Sequence, residues 1–99
     1  MDYKITWSPE ALDDIDDIAD FHAKKDPLYA QTVVEDLITK SRKLAYYPLR
    51  GRHVPELGTQ GFREIFVYSY RLIYEVTDQE VFIIAAIPGL MPMNVERFD

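Results

Sequence analysis

Ninety-nine residues, 47% of them apolar, suffice for one hydrophobic core and are too few for two, so we expect residues 1–99 to form a single domain. The chain has no cysteine, which excludes disulfides, thiolate chemistry and a cysteine-ligated zinc. Eleven Lys and Arg against seventeen Asp and Glu give a net charge of −6, which disfavours polyanion binding over most of the surface but leaves room for a local basic patch. No apolar run reaches membrane-spanning length and no signal-peptide pattern opens the chain, so we expect a cytoplasmic protein.

The first quarter of the chain predicts a short strand followed by a helix. Residues 3–7 alternate between apolar and polar side chains, as a half-buried strand does. Ser8 suits a helix cap and Pro9 suits the first helical position, and we expect the helix to end near Lys24 and Lys25. Its apolar arc comprises Ala11, Leu12, Ile15, Ile18, Ala19 and His22. Its opposite arc comprises Asp13, Asp14, Asp16, Asp17 and Asp20.

A second helix is predicted after Asp26 and Pro27, which repeat the cap and the proline of the first. Its buried face comprises Ala30, Val33, Val34, Leu37, Ile38, Ser41, Leu44 and Ala45. The helix is expected to stop at residues 46–48, because a residue that precedes proline disfavours the helical conformation. Two successive helices of this kind predict an αα-hairpin.

Residues 61–76 predict a β-hairpin whose turn is formed by Tyr68 and Ser69. With that two-residue turn, one face is apolar and comprises Ile65, Val67, Tyr70, Leu72, Tyr74 and Val76. The other face is mixed and comprises Glu64, Phe66, Arg71, Ile73 and Glu75. The turn lacks the glycine or asparagine that two-residue turns favour, and a three-residue turn would move Arg71 to the other face.

The remaining segments complete a two-layer fold. Residues 49–60 are expected to be irregular, residues 81–87 predict a well-covered last strand, and residues 90–99 form a tail. The predicted order is β-α-α-β-β-β. This order indicates an α+β fold in which a mostly antiparallel sheet packs on an α-helical hairpin.

The residues with chemical potential favour binding over catalysis. The aspartate run is expected to be a solvated helix face and not a metal site, and His22 a packed structural residue. His53, in the irregular segment, has no predicted role, and neither a nucleophile elbow nor a phosphate-binding glycine loop is present. Arginines gather in and around the hairpin, where they are suited to bind a carboxylate or a phosphate. Alternatively, they form ion pairs with Glu56 or Glu64 that tie the loop to the sheet. They are Arg50, Arg52, Arg63 and Arg71.

Three motifs together resemble the RelE/ParE superfamily of type II toxins. They are GR-x-VPELG at residues 51–58, REI-x-V at 63–67 and YRLIYEV at 70–76, and the SPEA helix start at 8–11 belongs to the same pattern. The resemblance implies the fold predicted above. It also implies one of two activities, because RelE-like members cut mRNA on the ribosome and ParE-like members poison DNA gyrase, and antitoxins neutralise both.

The resemblance is nearer to ParE. Where the RNA-cutting pattern has two lysines, this chain has Glu64 and Phe66, and Phe98 in the tail cannot transfer a proton as the expected aromatic residue would. Arg71 is the one basic group of that pattern that is kept. We therefore expect a gyrase-directed toxin without catalytic residues. The alternatives are a ribosome-dependent endoribonuclease using Arg71 with groups such as Arg52, His53 or Arg97, and an inactive relative that binds only the antitoxin.

The resemblance implies a cognate antitoxin and, for ParE-like members, gyrase as partners. The candidate residues for these contacts are Arg52, Arg63, Arg71, Leu90, Met91 and Met93. We expect no cofactor, no metal, no membrane contact and no sequence-specific nucleic-acid binding. Association into a dimer, or into a heterotetramer with the antitoxin, is left open.

Overall fold

The structure, a computed structural model, describes residues 2–58 and 61–98. The elements in chain order are β1 (Lys4–Trp7), α1 (Pro9–Ala23), α2 (Pro27–Lys43), β2 (Arg52–His53), a 3₁₀ helix (Pro55–Leu57), β3 (Phe62–Val67), β4 (Tyr70–Val76), β5 (Glu80–Pro88) and a second 3₁₀ helix (Val95–Phe98). The sheet order is β1-β5-β4-β3-β2, in which β1 runs parallel to β5 and the other neighbours are antiparallel. The predicted α+β fold is confirmed. Among the described residues, no helix has both the length and the apolar composition needed to cross a membrane.

Both helices begin at the predicted caps. The Ser8 hydroxyl accepts a hydrogen bond from the Ala11 N–H at 3.0 Å, and the Asp26 carboxylate accepts from two N–H groups of the next turn at 3.1 Å each. Pro9 and Pro27 occupy the first helical positions, where a missing N–H has no cost. The predicted ends of α1 and α2 agree with the structure to within two or three residues.

The main core lies between the helical hairpin and one face of the sheet. Its fully buried side chains come from α1, α2 and the three long strands, as the apolar patterns predict. They are Ala11, Ile15, Ile18, Val33, Leu37, Leu44, Val67, Tyr70, Leu72, Tyr74, Val81, Ile83 and Ala86. Leu12 differs from the prediction, because it is 52% exposed and lines a shallow cavity of about 320 Å³ beside Trp7 and Ile38.

The hairpin has the two-residue turn. Val67 pairs with Tyr70 and Ile65 with Leu72, so Arg71 lies on the face away from the helices, here called the outer face. Tyr68 supplies the positive φ that the turn needs, at 55°, a conformation that non-glycine residues rarely adopt. Its hydroxyl donates a hydrogen bond to the Asp36 carboxylate on α2, which offsets part of that backbone cost. Asp36 also raises the pKa of the Tyr68 hydroxyl through this bond.

The outer face carries a second, smaller core that the sequence analysis did not predict. Its buried side chains are Val54, Leu57, Phe62, Ile73, Ala85 and Phe98. The cover comes from two segments. The loop that was expected to be irregular forms β2 and a 3₁₀ helix, and the predicted tail forms a second 3₁₀ helix. The Phe98 ring packs edge-on against Phe62 with ring centroids 5.7 Å apart. Thr59 and Gln60 of the predicted irregular segment lie outside the described residues.

The turn between α2 and β2 is held by a buried tyrosine. The Tyr74 side chain, 0% exposed, accepts a hydrogen bond from the Gly51 N–H at 2.9 Å and donates one to the Pro48 carbonyl at 2.8 Å. A Cβ at Gly51 would lie 2.5 Å from the Tyr74 hydroxyl and 2.6 Å from the Glu64 carbonyl oxygen, so only glycine fits here. One hydroxyl group and one glycine therefore help to fix the path of the loop.

We predict that Tyr74→Phe lowers the free energy of unfolding by about 2 kcal/mol, because the Gly51 N–H and the Pro48 carbonyl lose their buried partner. Urea unfolding followed by circular dichroism measures this change. Tyr47→Phe is the matched control, since that side chain is 68% exposed and its stability should change by less than about 0.5 kcal/mol. Equal effects of the two substitutions would contradict the structural role assigned to the Tyr74 hydroxyl.

Candidate functional site

The outer face holds four charged side chains in one ion cluster. Glu64 on β3 accepts a hydrogen bond from Arg71 Nε at 2.6 Å through Oε1 and from Arg52 Nε at 2.7 Å through Oε2. Glu56, on the 3₁₀ helix, accepts from Arg71 Nη1 at 2.7 Å and Nη2 at 2.8 Å, a bidentate pairing. Glu64 is 1% exposed and Arg71 is 4% exposed. The cluster contains two positive and two negative charges and is therefore neutral.

The strand register explains why these residues meet. Arg52 lies opposite Glu64 in the β2–β3 pair. Arg71 lies opposite Phe66 in the β3–β4 pair, which makes Glu64 and Arg71 diagonal neighbours on the same face. The short strand β2, which the sequence analysis missed, is what brings Arg52 to the cluster. The sequence left two roles open for the arginines: recognition of a partner's carboxylate or phosphate, or ion pairs with Glu56 or Glu64. The structure contains the ion pairs, formed by Arg52 and Arg71.

The cluster shifts the protonation equilibria of its members. The pKa of Glu56 is lowered from 4.5 to about 2, mainly because the Arg71 guanidinium donates hydrogen bonds to the ionised carboxylate. The pKa of Arg71 is raised, chiefly by its hydrogen bonds to Glu56. Within the cluster, Arg71 and Glu64 form a buried pair, and removal of one partner would leave an uncompensated charge, which costs more than the pair contributes.

Each of the remaining predicted contact residues has a definite place. Arg63 donates hydrogen bonds to the carbonyl oxygens of Gly51 at 2.8 Å and Leu49 at 3.3 Å, so it braces the loop. In the tail, Leu90 is 98% exposed and Met91 is 59% exposed, whereas Met93 packs against the smaller core. The arginines and the tail residues do not form one continuous site.

The tail is anchored at both ends. The Gly89 N–H donates a hydrogen bond to the Ser69 carbonyl at 2.7 Å. Farther along, Arg97 Nη2 donates to the Asp14 carboxylate at 2.6 Å, and the same carboxylate accepts from the Ala86 N–H at 2.9 Å. Asp14 therefore departs from the prediction of a fully solvated aspartate face, because it binds β5 and the tail. Between the anchors, the side chains of Leu90 and Met91 project towards solvent.

A cleft of about 590 Å³ opens between α1 and the end of the sheet that carries the hairpin turn. Its apolar lining includes Ile18, Phe21, Tyr70, Ala86, Ile87, Pro88 and Met91. Asp14 and Asp17 line the same cleft. Phe21 is 60% exposed although it is a large aromatic side chain. An apolar cleft with carboxylates is suited to a partner segment that combines apolar side chains with lysine or arginine.

His22 stands at this cleft as a partly buried residue, as predicted. Its Nε2 and the Tyr70 hydroxyl are hydrogen-bonded at 2.7 Å, and the ring meets Phe21 and Tyr29 edge-on. Burial raises the pKa of the Tyr70 hydroxyl. His53 is exposed on β2. Within residues 2–58 and 61–98, no three His, Asp or Glu side chains are grouped so that they could hold a metal ion.

We predict that Glu56→Gln flattens the acid dependence of stability. In the native chain the ionised Glu56 contributes stability that is fully present above pH 4.5 and is lost as the pH falls towards about 2, because the unfolded state takes up the proton first. Urea unfolding at a series of pH values from 7 to 2 measures this dependence. The difference in stability between native protein and variant should shrink across that interval.

The control for this experiment is Glu96→Gln, which removes a carboxylate at an exposed position in the tail. Its stability should follow that of the native protein at every pH. A Glu56→Gln profile parallel to that of the native protein would show that the Arg71 pairing does not contribute to folding stability.

The amino-acid sequence is similar to that of a known protein family and of a known protein. Residues 5–89 match the family described as ParE toxin of type II toxin-antitoxin system, parDE. The chain is 37% identical over 82 residues to Toxin RelE2 of Caulobacter vibrioides, an alignment that covers 82% of this chain and 89% of that protein.

Two solved structures are similar in fold. One is the chromosomal ParDE TA system from P. aeruginosa, with a TM-score of 0.75 and 20% identity, covering 87% of this chain and 95% of that one. The other is a mutant of E. coli toxin RelE in the free state, with a TM-score of 0.69 and 22% identity, covering 99% of this chain and 92% of that one. At these identities the two likenesses bear on the fold alone.

Proposed function

The chain belongs to the ParE toxin family of type II toxin–antitoxin systems, and on that premise we propose that it is a ParE-type toxin that poisons DNA gyrase. In this proposal the protein acts in the cytoplasm by binding gyrase and trapping its cleaved-DNA intermediate. A cognate antitoxin neutralises it by binding the folded toxin.

The ion cluster on the outer face is the observation that carries the proposal. Cleavage of RNA by a superfamily member needs unpaired basic groups that orient the substrate and stabilise the charged transition state. Here Arg71 is 4% exposed and its guanidinium is bonded to Glu64 on one side and Glu56 on the other. A charge-neutral outer face supports a toxin that acts through protein contacts.

The tail supplies the proposed gyrase contact. Leu90 and Met91 are presented between two anchored ends, so little conformational entropy is lost when they bind. Met side chains adapt to irregular apolar surfaces. Of the predicted arginine contacts, Arg52 keeps the most surface for a partner, because its side chain is 58% exposed and lies over the Phe66 ring with its guanidinium carbon 5.1 Å from the centroid. Arg63, Arg71 and Met93 act indirectly in this proposal by holding the loop and the outer face.

The cleft beside α1 is the proposed antitoxin site. Its apolar lining and the exposed ring of Phe21 favour burial by a partner, and the acidic α1 favours a segment with lysine or arginine next to its apolar residues. The Arg97–Asp14 ion pair closes the tail over one side of α1 and so helps to shape the cleft. A toxin–antitoxin heterotetramer remains one arrangement that such a surface allows.

The second candidate is a ribosome-dependent endoribonuclease, which the 37% identity to a relative named Toxin RelE2 favours. That mechanism requires Arg71 to leave the ion cluster or to act through it. If the protein cleaves mRNA on translating ribosomes and leaves gyrase unaffected, this second candidate replaces the first. An inactive relative that binds only the antitoxin would show neither effect.

We predict that purified protein titrated into a gyrase supercoiling reaction inhibits supercoiling and accumulates covalently cleaved DNA. Leu90→Asp should raise the concentration needed for half of this effect at least about tenfold, because a charge replaces an apolar contact at the interface. Leu28→Asp is the matched control, since Leu28 is also well exposed, at 75%, but belongs to α2 and not to the tail. The absence of any effect at micromolar excess of folded protein would overturn the gyrase assignment for the enzyme tested.

We predict that Phe21→Ala weakens binding of the cognate antitoxin at least about tenfold, since aromatic side chains at the centre of an interface contribute most of its affinity. Isothermal titration calorimetry with the antitoxin encoded beside this chain measures the change. Phe66→Ala is the control, because that ring is similarly exposed, at 53%, but lies on the outer face. Equal losses at the two positions, or a loss at Phe66 alone, would place the antitoxin elsewhere.

A further inference from the structure

Positive charge is concentrated where α2 ends and the chain turns towards β2. Residues 40–63 contain six Lys and Arg and one carboxylate, Glu56, which is bound to Arg71. By contrast, α1 contains six Asp and Glu and no Lys or Arg. The net charge of −6 is therefore distributed very unevenly, and one end of an acidic protein is basic.

Of the six cations, Arg52 is neutralised by Glu64, which lies just beyond this range. Lys40, Lys43 and Arg50 are exposed, and none of them forms a salt bridge with any carboxylate in residues 2–58 and 61–98. Lys40 and Lys43 are three residues apart, which places them on the same side of the helix. The Arg63 guanidinium donates to carbonyl oxygens and forms no salt bridge within the described part of the chain, so its positive charge adds to the local potential. Helix C-termini do attract cations, but Arg50 lies beyond the helix and Arg63 lies on the sheet.

Large side chains project from the same turn. Tyr46 is 65% exposed, Tyr47 is 68% exposed and Leu49 is 63% exposed. The backbone beneath them is ordered: the Tyr47 N–H donates to the Lys43 carbonyl and the Arg50 N–H donates to the Tyr47 carbonyl, both at 3.2 Å. The buried Tyr74 hydroxyl then fixes the end of the turn. The backbone of the turn is thus fixed while the two rings are open to solvent, which is unusual unless something covers them.

We propose that this end of the molecule binds single-stranded DNA. The binding surface consists of Lys40, Lys43, Tyr46, Tyr47, Leu49 and Arg50. Phosphates contact the three cations, and unpaired bases stack on the two tyrosine rings, as in proteins that bind single strands without sequence preference. The choice of DNA over RNA rests on the proposed function, since gyrase acts on DNA. Two exposed rings on successive residues favour a single strand, because bases in a duplex already stack on each other.

Fluorescence anisotropy tests the proposal. The purified protein is titrated into a labelled thymidine oligomer of about twelve nucleotides. We expect binding in the micromolar range at about 50 mM salt. With three phosphate contacts on a single strand, affinity should fall about 20-fold between roughly 50 and 200 mM salt. A duplex of the same length should bind more weakly at each salt concentration.

Two pairs of variants separate this surface from general electrostatics. The first double variant, Lys40→Glu with Arg50→Glu, should abolish detectable binding. The second, Lys24→Glu with Lys25→Glu, changes exposed residues at the end of α1 and should retain binding. Both double variants carry the same net charge, so a difference between them reports on the surface and not on overall charge. Tyr46→Ala combined with Tyr47→Ala should weaken binding at least about fivefold, and the corresponding Phe substitutions should restore it because they keep the rings.

Several results would overturn the proposal. If the folded protein does not bind the thymidine oligomer at low salt, or if the two double charge reversals lose binding equally, the result contradicts the proposed surface. Tighter binding of a uridine RNA oligomer than of the DNA oligomer would contradict the choice of DNA. A polyglutamate peptide that binds as tightly as the DNA would indicate an acidic protein partner instead. Because gyrase is absent from the assay, the two proposals fail separately. Gyrase poisoning without DNA binding overturns only this inference, and DNA binding without gyrase poisoning overturns only the proposed target.

Discussion

A buried guanidinium group has to be matched by carboxylates, and Arg71 imposes this requirement on the outer half of the structure. Glu64 reaches it from the neighbouring strand, and Glu56 reaches it from the loop, which the β2–β3 pairing and the Tyr74 hydroxyl also hold to the sheet. Once Glu56 is bound there, Leu57 and Val54 cover Ile73 and the smaller core can form. The ion cluster is thus one of the contacts that hold this loop against the sheet.

The same cluster contributes to an uneven distribution of charge over the surface of the molecule. It neutralises the charges in the middle of the outer face. By contrast, α1 carries a run of aspartates, of which Asp14 is paired with Arg97, and lysines and arginines gather where α2 meets the loop. Apolar side chains are exposed in the cleft beside α1 and in the anchored tail. Three surfaces of different chemistry are therefore available to three different partners on a chain of 99 residues.

Much of the fold could be predicted from the sequence because its signals are local. Ser8 and Asp26 mark the helix starts, the spacing of apolar residues marks the buried faces, and the branched and aromatic residues around Tyr68 mark the hairpin. The candidate site was less predictable because its contacts join distant residues. Asp14 looks like any other member of its aspartate run until Arg97, 83 positions away, folds back to it. The bonds from Tyr74 to the loop and from Tyr70 to His22 likewise have no signature in the neighbouring sequence.

The exposed segment between Gly89 and Arg97 has a consequence for how this protein can change. One anchor is the main-chain bond from Gly89 to Ser69, and the other is the ion pair of Arg97 with Asp14. Neither uses the side chains at the tip of the segment, Leu90 and Met91, which are exposed and therefore contribute little to folding stability. Substitutions at the tip can alter what it binds without a loss of stability that must be compensated elsewhere. The tail is thus a position where new binding specificity can evolve on an unchanged fold.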